Sequence, residues 1–433
     1  MIKCTIMKNW QTWLTDKYIW LMLLIFPLWT GFRGYEALTV SKFAFFAAAT
    51  GLWLAALAVS AVIARPTLPV SRPCHPAAAA FMLAACLSAL FSPYGTRVLL
   101  GASRYDGLLT LLLYGGIMIG VSAFGRPRRA YVYALAVSAT ICCMIAFLQL
   151  LGGNPLGLFP GDYTYYDSGY KYSGAFLGTM GNTNVLAAFF CLCIPLFAGL
   201  GVLSRDRRDR LLLIPAALCL LILIFSGVSS GILAVGLCAL LLPPYLVFLR
   251  SGRGRPAHIC CAACASAAAG ALAAIFFWPG TEGTMYELSQ FLHGHIDDSF
   301  GSSRILIWRE TLGVIAERPL LGGGPDTLTL RTDLDFSRYV TETGLTLKTH
   351  VDNAHNEYLN YLVNIGAAGF AAYLSVIAVS LSSWLRKRRG TLIPALGCGL
   401  VCYWIQSFFG LGLCLVVPLV WIFMGLVNTP SEE

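Results

Sequence analysis

Charged residues are scarce in this chain of 433 residues. Asp, Glu, Lys and Arg together make up 12% of it, whereas hydrophobic residues make up 57%, and the mean hydropathy is +0.71. Soluble domains carry about a quarter charged residues, so this composition excludes an ordinary soluble domain. It predicts an all-α polytopic membrane protein.

Signatures of several protein classes are also missing. None of the fifteen cysteines lies between Trp278 and Pro394, so disulfides cannot brace the largest polar loop. No Asp, Glu, Lys or Arg lies squarely in the middle of a candidate span, where ion-coupled transporters place such residues. The sequence shows no internal repeat, P-loop, dinucleotide fingerprint or Ser-His-Asp order. These absences disfavour a permease, and they direct attention to chemistry at a membrane surface.

A membrane-spanning helix needs about 20 apolar residues, and the sequence offers twelve such runs. The third run is short, and the seventh and eighth could be a miscounted pair. The first is not interpreted as a cleaved signal, because no small-residue cleavage site follows it. The predicted spans are 17–32, 41–64, 77–91, 107–124, 130–151, 183–203, 210–226, 231–249, 258–278, 357–385, 391–408 and 411–427.

The net charge of +9 is interpreted through topology and not as a nucleic-acid footprint, because Lys and Arg gather in cytoplasmic loops. Alternate loops place eighteen basic residues on one side, against eleven on the other. Both termini are therefore predicted in the cytoplasm, with the 152–182 and 279–356 loops outside. The eighteen are Lys3, Lys8, Arg65, Arg72, Arg126, Arg128, Arg129, Arg205, Arg207, Arg208, Arg210, Arg250, Arg253, Arg255, Arg386, Lys387, Arg388 and Arg389.

Polar residues cluster between Gly301 and Gly369. Arg304 opens an amphipathic pattern, built on Ile305, Trp308, Leu312 and Ile315, that predicts a helix ending before Pro319. Further on, His355 and Asn356 are followed by nine residues and then by Gly366-x-x-Gly369. This spacing resembles the signature of the O-antigen ligase and polymerase superfamily of bacterial membrane glycosyltransferases.

The resemblance implies a lipid-donor glycosyltransferase fold of the GT-C type in the bacterial cytoplasmic (inner) membrane. Nine membrane helices in residues 1–278 would precede a large extracytoplasmic catalytic loop at 279–356, and three more helices would follow in 357–433. The implied reaction transfers an oligo- or polysaccharide, with inversion and without a metal or cofactor, from an undecaprenyl-diphosphate carrier to an acceptor hydroxyl. The acceptor could be a glycan, a lipid or a protein. A multi-pass exporter or flippase of a lipid-linked glycan is the alternative.

His355 is the candidate general base. An acceptor hydroxyl loses a proton as it attacks, and a neutral imidazole accepts a proton near neutral pH. The start of a helix disfavours the imidazolium and so keeps the base free. Arg304 matches the superfamily's arginine and is predicted to stabilise the departing diphosphate through paired N–H donors. Arg309, five residues further on, is a weaker donor-binding candidate, with a solvated helix face as the alternative.

The 152–182 loop resembles a second segment of the superfamily. Lys171 stands where the superfamily usually has arginine, so it keeps the charge but loses the two-pronged donor geometry. Tyr170 and Tyr172 are candidate sugar contacts, or part of an interfacial aromatic belt. Asn356 and Tyr358 are predicted to contact sugar or acceptor on the face of His355. Asn182 and Asn184 match an Asn-x-Asn with which the next helix opens in the same superfamily segment. The alternative role for either residue is a plain helix N-cap.

Other short patterns have other interpretations. Asp333-x-Asp335 imitates a nucleotide-sugar metal motif, and His293, His295, Asp297 and Asp298 could bind a divalent ion. The glycines of 322–325 could expose amides as an anion nest or could simply form a turn.

The predicted topology can be tested by labelling. A cysteine placed at Thr281 is expected to react with an impermeant thiol reagent on intact cells, because the 279–356 loop is predicted to face outwards. The wild-type chain supplies the background labelling of the native cysteines. Labelling that required permeabilised cells would contradict the orientation.

Overall fold

Helices form nearly all of the regular structure in the computed structural model, which describes residues 2–64, 72–159, 161, 163–171, 175–340, 344–388 and 390–430. The helices are α1 Ile2–Trp20, α2 Leu38–Ala64, α3 Cys74–Leu90, α4 Arg97–Leu100, α5 Leu108–Phe124, α6 Arg129–Leu150, α7 Tyr165–Lys171, α8 Thr183–Leu203, α9 Arg207–Arg210, α10 Leu213–Phe225, α11 Ser229–Ser251, α12 Arg255–Phe276, α13 Thr284–Leu292, α14 Phe300–Glu317, α15 Glu357–Arg386, α16 Leu392–Gln406 and α17 Val417–Val427.

Within the described residues, six helical stretches are long and apolar enough to cross a membrane: Tyr35–Ile63, α6, α8, α11, α12 and α15. Four further apolar helices, α3, α5, α16 and α17, are shorter, and α10 has 13 residues. The count of twelve full-length spans is therefore not confirmed. The predicted boundary between the seventh and eighth runs is confirmed, because α10 and α11 are separate helices.

The first predicted span, 17–32, is not a single regular helix. The helix already starts at Ile2, and it continues beyond α1 as a π-helix, Leu21–Ile25, and a 3-10 helix, Phe26–Leu28. Lys42, near the start of α2, is fully buried and donates to the carbonyls of Phe26 and Pro27, both at 2.9 Å. The ammonium thus satisfies carbonyl groups at the irregular end of the first helix.

The core is a continuous apolar cluster between the membrane helices. In it α8 packs against α10, α11 and α16, while α3 packs against α5 and α15. Aromatic rings fill the centre. Trp421 of α17 stacks on Tyr114 of α5 with 5.6 Å between the ring centroids, and its centroid lies 5.3 Å from that of Phe81 in α3. These contacts join early and late parts of the sequence into one bundle.

The prediction of an all-helical chain missed a β-hairpin in the 279–356 loop. Strands β1 (Asp335–Val340) and β2 (Leu345–His350) pair antiparallel. The apolar face predicted for α14 was also partly wrong, because Leu312 is 55% exposed. The buried positions of α14 are Ile307, Thr311 and Val314.

The backbone of α15 breaks at Gly366, whose φ of 68° and ψ of −176° are not helical. The amide of Ala367 donates instead to Pro319 O at 2.8 Å, and the amide of Ala368 donates to Leu320 O at 3.1 Å. In return, Asn364 O accepts from Gly324 N at 2.8 Å. The 319–324 segment is therefore joined to α15 through the backbone of both.

The glycine run at 322–324 makes a turn and not an anion nest. Its amides are already used inside the protein: Gly322 donates to Arg318 O, Gly323 to Val363 O and Gly324 to Asn364 O. Gly366 allows close packing against this turn: a Cβ on Gly366 would lie 2.3 Å from Leu320 O.

Gly366→Ala is expected to destabilise the protein by about 2–4 kcal/mol, because its backbone conformation is nearly exclusive to glycine and its Cβ would meet backbone atoms. The measurement is thermal unfolding of the purified protein in detergent. Gly313→Ala is the matched control, since its Cβ would meet nothing within 4 Å; it is expected to be neutral or stabilising by up to about 1 kcal/mol. Equal unfolding temperatures for Gly366→Ala and wild type would contradict this role.

Candidate active site at the junction of α14 and α15

Three hydrogen bonds bring α14 against the residues that precede α15. Trp308 Nε1 donates to Ala354 O at 3.0 Å, so the middle of α14 is fixed beside His355. The loop after α16 lies between the two helices: Arg304 Nε donates to Phe409 O at 3.1 Å, and Glu357 N donates to Ser407 O at 2.9 Å. The two principal sequence candidates, Arg304 and His355, therefore share one site.

Arg304 begins the regular part of α14. Residues 301–303 have positive φ values, so helical geometry is established only at Arg304, as the sequence predicted for a helix start. Its guanidinium donates to Gly301 O and Phe409 O. These bonds use two of the five N–H donors of an arginine. Burial lowers the pKa of Arg304, yet an arginine stays protonated in proteins, so the site keeps a fixed positive charge.

His355 precedes α15 in a strained conformation, with a φ of 49° and its amide bonded to Asn353 Oδ1 at 3.0 Å. The pKa of its imidazole is lowered to about 4, first by burial and then by the positive charge of Arg304, with Arg104 adding to the effect and Asp352 opposing it. The sequence predicted the same direction from the helix dipole. At neutral pH His355 is uncharged and can accept a proton.

Arg104 is a site residue that sequence reasoning missed. It lies in the loop between α4 and α5, and its Nε donates to Asp352 Oδ2 at 2.6 Å. This ion pair places a second guanidinium near His355, and its charge contributes to lowering the pKa of that histidine. The available signal was the polar run 103–106 between two apolar runs, on the same predicted side as the catalytic loop.

The Arg104 loop is held by Asp326, which follows the glycine turn. The carboxylate of Asp326 accepts hydrogen bonds from Arg104 N at 2.9 Å and from Ser103 N and Oγ, both at 3.1 Å. Burial raises the pKa of Asp326, whereas these hydrogen bonds lower it. Asp326 thus links the turn that joins α15 to the loop that presents Arg104.

Asn356 and Tyr358, which were predicted to contact sugar or acceptor, make hydrogen bonds within the protein. Asn356 is buried and caps α15, with Oδ1 accepting from Tyr358 N at 3.0 Å and Leu359 N at 3.1 Å. The Tyr358 hydroxyl donates to Trp404 O at 2.8 Å. His355 lies before this cap, so the predicted helical face shared with Tyr358 does not exist. Asn182 likewise caps α8, which was the alternative role given to it.

Of the remaining donor and sugar candidates, Arg309 is engaged with a residue outside this cluster. Arg309 is exposed and forms an ion pair with Asp298. Tyr170 is 42% exposed on the short helix α7. Lys171 ends α7, but its side chain and the whole of Tyr172 lie outside the described residues.

The residues considered for metal binding are engaged within their own loop. Asp335 pairs with His350 across the hairpin at 2.6 Å, and Asp297 accepts from Ser299 N at 2.8 Å. Among the residues that the structure describes, no group of three or more His, Cys, Asp or Glu could hold a metal ion. These contacts give the hairpin and the preceding turn a structural role.

Residues 214–374 match the family model described as O-antigen ligase. This part of the chain is similar to the O-antigen ligase family. The matched range runs from α10 into α15 and contains Arg304 and His355, so the resemblance to the O-antigen ligase and polymerase superfamily is confirmed for these residues. Arg104 and Lys171 lie outside the match. No curated protein matches the chain.

The pKa values of two histidines in the matched residues 214–374 are expected to differ. His355 has its pKa lowered to about 4, whereas hydrogen bonding to Asp335 raises the pKa of His350. Diethyl pyrocarbonate acylates only the neutral imidazole. As the pH is raised from about 5.5 to 7.5, the acylation rate of His355 should stay nearly constant, whereas the acylation rate of His350 should rise.

Mass spectrometry of the purified protein measures both rates, and each residue is compared with its own rate at the higher pH, so that differences in accessibility cancel. A parallel rise at both residues would contradict the neutral state of His355.

Proposed function

We propose that the chain transfers an oligo- or polysaccharide from an undecaprenyl-diphosphate carrier to an acceptor hydroxyl at the outer face of the cytoplasmic membrane. The observation that carries the proposal is an uncharged histidine held near two arginines, in a chain whose residues 214–374 match the O-antigen ligase family. A base for a hydroxyl and cations for a diphosphate are the two requirements of this transfer.

In the proposed reaction His355 removes the proton of the acceptor hydroxyl while its oxygen attacks the anomeric carbon. The bond from that carbon to the carrier's phosphate oxygen breaks in the same displacement, which inverts the anomeric configuration. The bonding electrons stay on the departing diphosphate, whose increased negative charge Arg304 and Arg104 stabilise. The proton remains on the imidazole until product leaves. The residues of the site carry out these steps without a metal ion.

The two arginines also regulate the base. Burial and then their charge hold the pKa of His355 at about 4, which makes the imidazole a weak base. A bound diphosphate places negative charge beside both guanidinium groups and so cancels part of this effect. The pKa of His355 rises towards its ordinary value only when donor is present. The base is thereby strengthened at the moment when it is needed.

Arg304→Lys keeps the positive charge but replaces a planar fork with a single point charge. If the diphosphate is bound through paired donors, the substitution is expected to cost about 1.5–3 kcal/mol, or about 10- to 150-fold in transfer rate. The assay is in vitro transfer from a purified polyprenyl-diphosphate glycan in detergent with chelator present.

Arg309→Lys is the matched control on the same helix, and it should leave the rate unchanged because Arg309 is exposed and paired with Asp298. Full activity in Arg304→Ala would remove Arg304 from the mechanism. Loss of wild-type activity on adding chelator would contradict the metal-free reaction.

His355→Ala separates a transferase from the alternative, an exporter or flippase. A transferase without its base is expected to lose about 100-fold or more in transfer rate, while the lipid-linked glycan still reaches the outer leaflet and accumulates there. Leaflet-specific labelling of the lipid-linked glycan measures this distribution. His295→Ala, an exposed histidine in the same loop, is the control. Donor trapped in the inner leaflet would favour transport.

A further inference from the structure

A cavity lies at the end of α15 that is remote from His355. It has a volume of about 1140 Å³ and is bordered by Arg386, at the end of α15, and Leu392, at the start of α16. The part of α15 after the break at Gly366 runs to Arg386, and these roughly 20 residues extend about 30 Å. The cavity and the candidate active site therefore lie at opposite ends of a helix that is long enough to cross a membrane.

The cavity is lined by positive charge. Of its four basic residues, Arg129 is paired with Asp209 at 2.8 Å, whereas Arg386 bonds to the Ser382 hydroxyl at 3.1 Å. Lys387 donates to two backbone carbonyls. None of the lining residues that the structure describes is Asp or Glu. A negatively charged group in the cavity would thus meet cations without a competing carboxylate on the cavity wall.

Two observations indicate that this charge is available to a ligand. The pKa of Lys387 is lowered to about 8, first by burial and then by the charge of Arg72. The surroundings of Lys387 therefore stabilise its positive charge poorly. Arg388, also on the cavity wall, is exposed and contacts the Phe248 ring at 5.2 Å. An anion would stabilise the charged form of Lys387.

Part of the cavity lining is apolar. Ala378 and Val379, two turns before the end of α15, line the cavity together with Leu392 and Ile393 of α16. Ala378 is exposed on the surface of the bundle. A free phosphate ion would use only the cationic part of the lining, whereas a phospholipid would use both the cationic and the apolar parts.

We propose that this cavity binds the phosphate head group of an anionic phospholipid, with one acyl chain lying along α15 past Ala378. Basic pockets between membrane helices are suited to such head groups. With the predicted topology, the lipid comes from the cytoplasmic leaflet. The proposal is independent of the transferase reaction, because it involves neither His355 nor Arg304.

The test measures lipid retained by the purified full-length protein, by native mass spectrometry, after reconstitution with phosphatidylglycerol in phosphatidylcholine. The double variant R386Q and R388Q should retain less phosphatidylglycerol than wild type, by about fivefold for each basic side chain lost. The matched control is R250Q and R253Q, which removes two exposed arginines near the end of α11 and outside the cavity. Equal losses in the two double variants would overturn the proposal in favour of general surface charge.

A second variant tests the apolar part of the lining without changing charge. Ala378→Trp places a large ring in the path of the acyl chain and is expected to lower retention of phosphatidylglycerol, whereas binding of inorganic phosphate, measured by its protection against thermal unfolding, is unchanged. Unchanged lipid retention in Ala378→Trp, or a thermal shift with inorganic phosphate as large as that with phosphatidylglycerol, would show a simple anion site. Either result would overturn the lipid proposal.

Discussion

The backbone of α15 is open at Gly366, and the amides and carbonyls left without helical partners bind the 319–324 segment. This segment directly follows α14, so these bonds fix the position of the C-terminal end of α14 relative to α15. Arg304 and His355 belong to these two helices, and the bond from Trp308 to Ala354 fixes the same pair a second time. Unpaired backbone groups are costly in an apolar surrounding. The exchange of hydrogen bonds therefore makes the relative position of the two helices stable.

Much of the fold and part of the site follow from local properties of the sequence. Composition predicted a helical membrane protein, and α8 occupies the predicted residues 183–203 because it is a continuous apolar run behind an asparagine cap. The spacing from His355 to Gly366 predicted the family. Arg304 and His355 are close together in the structure, as the assignment of both to one reaction required.

What the sequence did not predict depends on contacts between distant residues. Arg104 pairs with Asp352, 248 positions away, and no periodicity links them. Asn356 and Tyr358 are polar residues beside the candidate base, but their bonds to the start of α15 and to α16 appear only in three dimensions. The run 411–427 reads as one span, yet only α17 is helical there. Leu413 and Leu415 precede it in an irregular segment that is buried by other helices, and apolar composition alone does not distinguish these cases.

The contacts of Lys42 couple the positions of the first two helices. An ammonium alone in hydrocarbon is unfavourable by several kcal/mol. Lys42 meets its two carbonyl acceptors at the irregular end of the first helix. The same carbonyls also accept from Trp29 N and from the Thr179 hydroxyl, so the contact matters more to the buried charge than to the carbonyls. Apolar contacts are not directional, and they alone would allow α2 to slide along its neighbour. Such a slide would separate the ammonium from its acceptors, so one lysine sets the register between two helices.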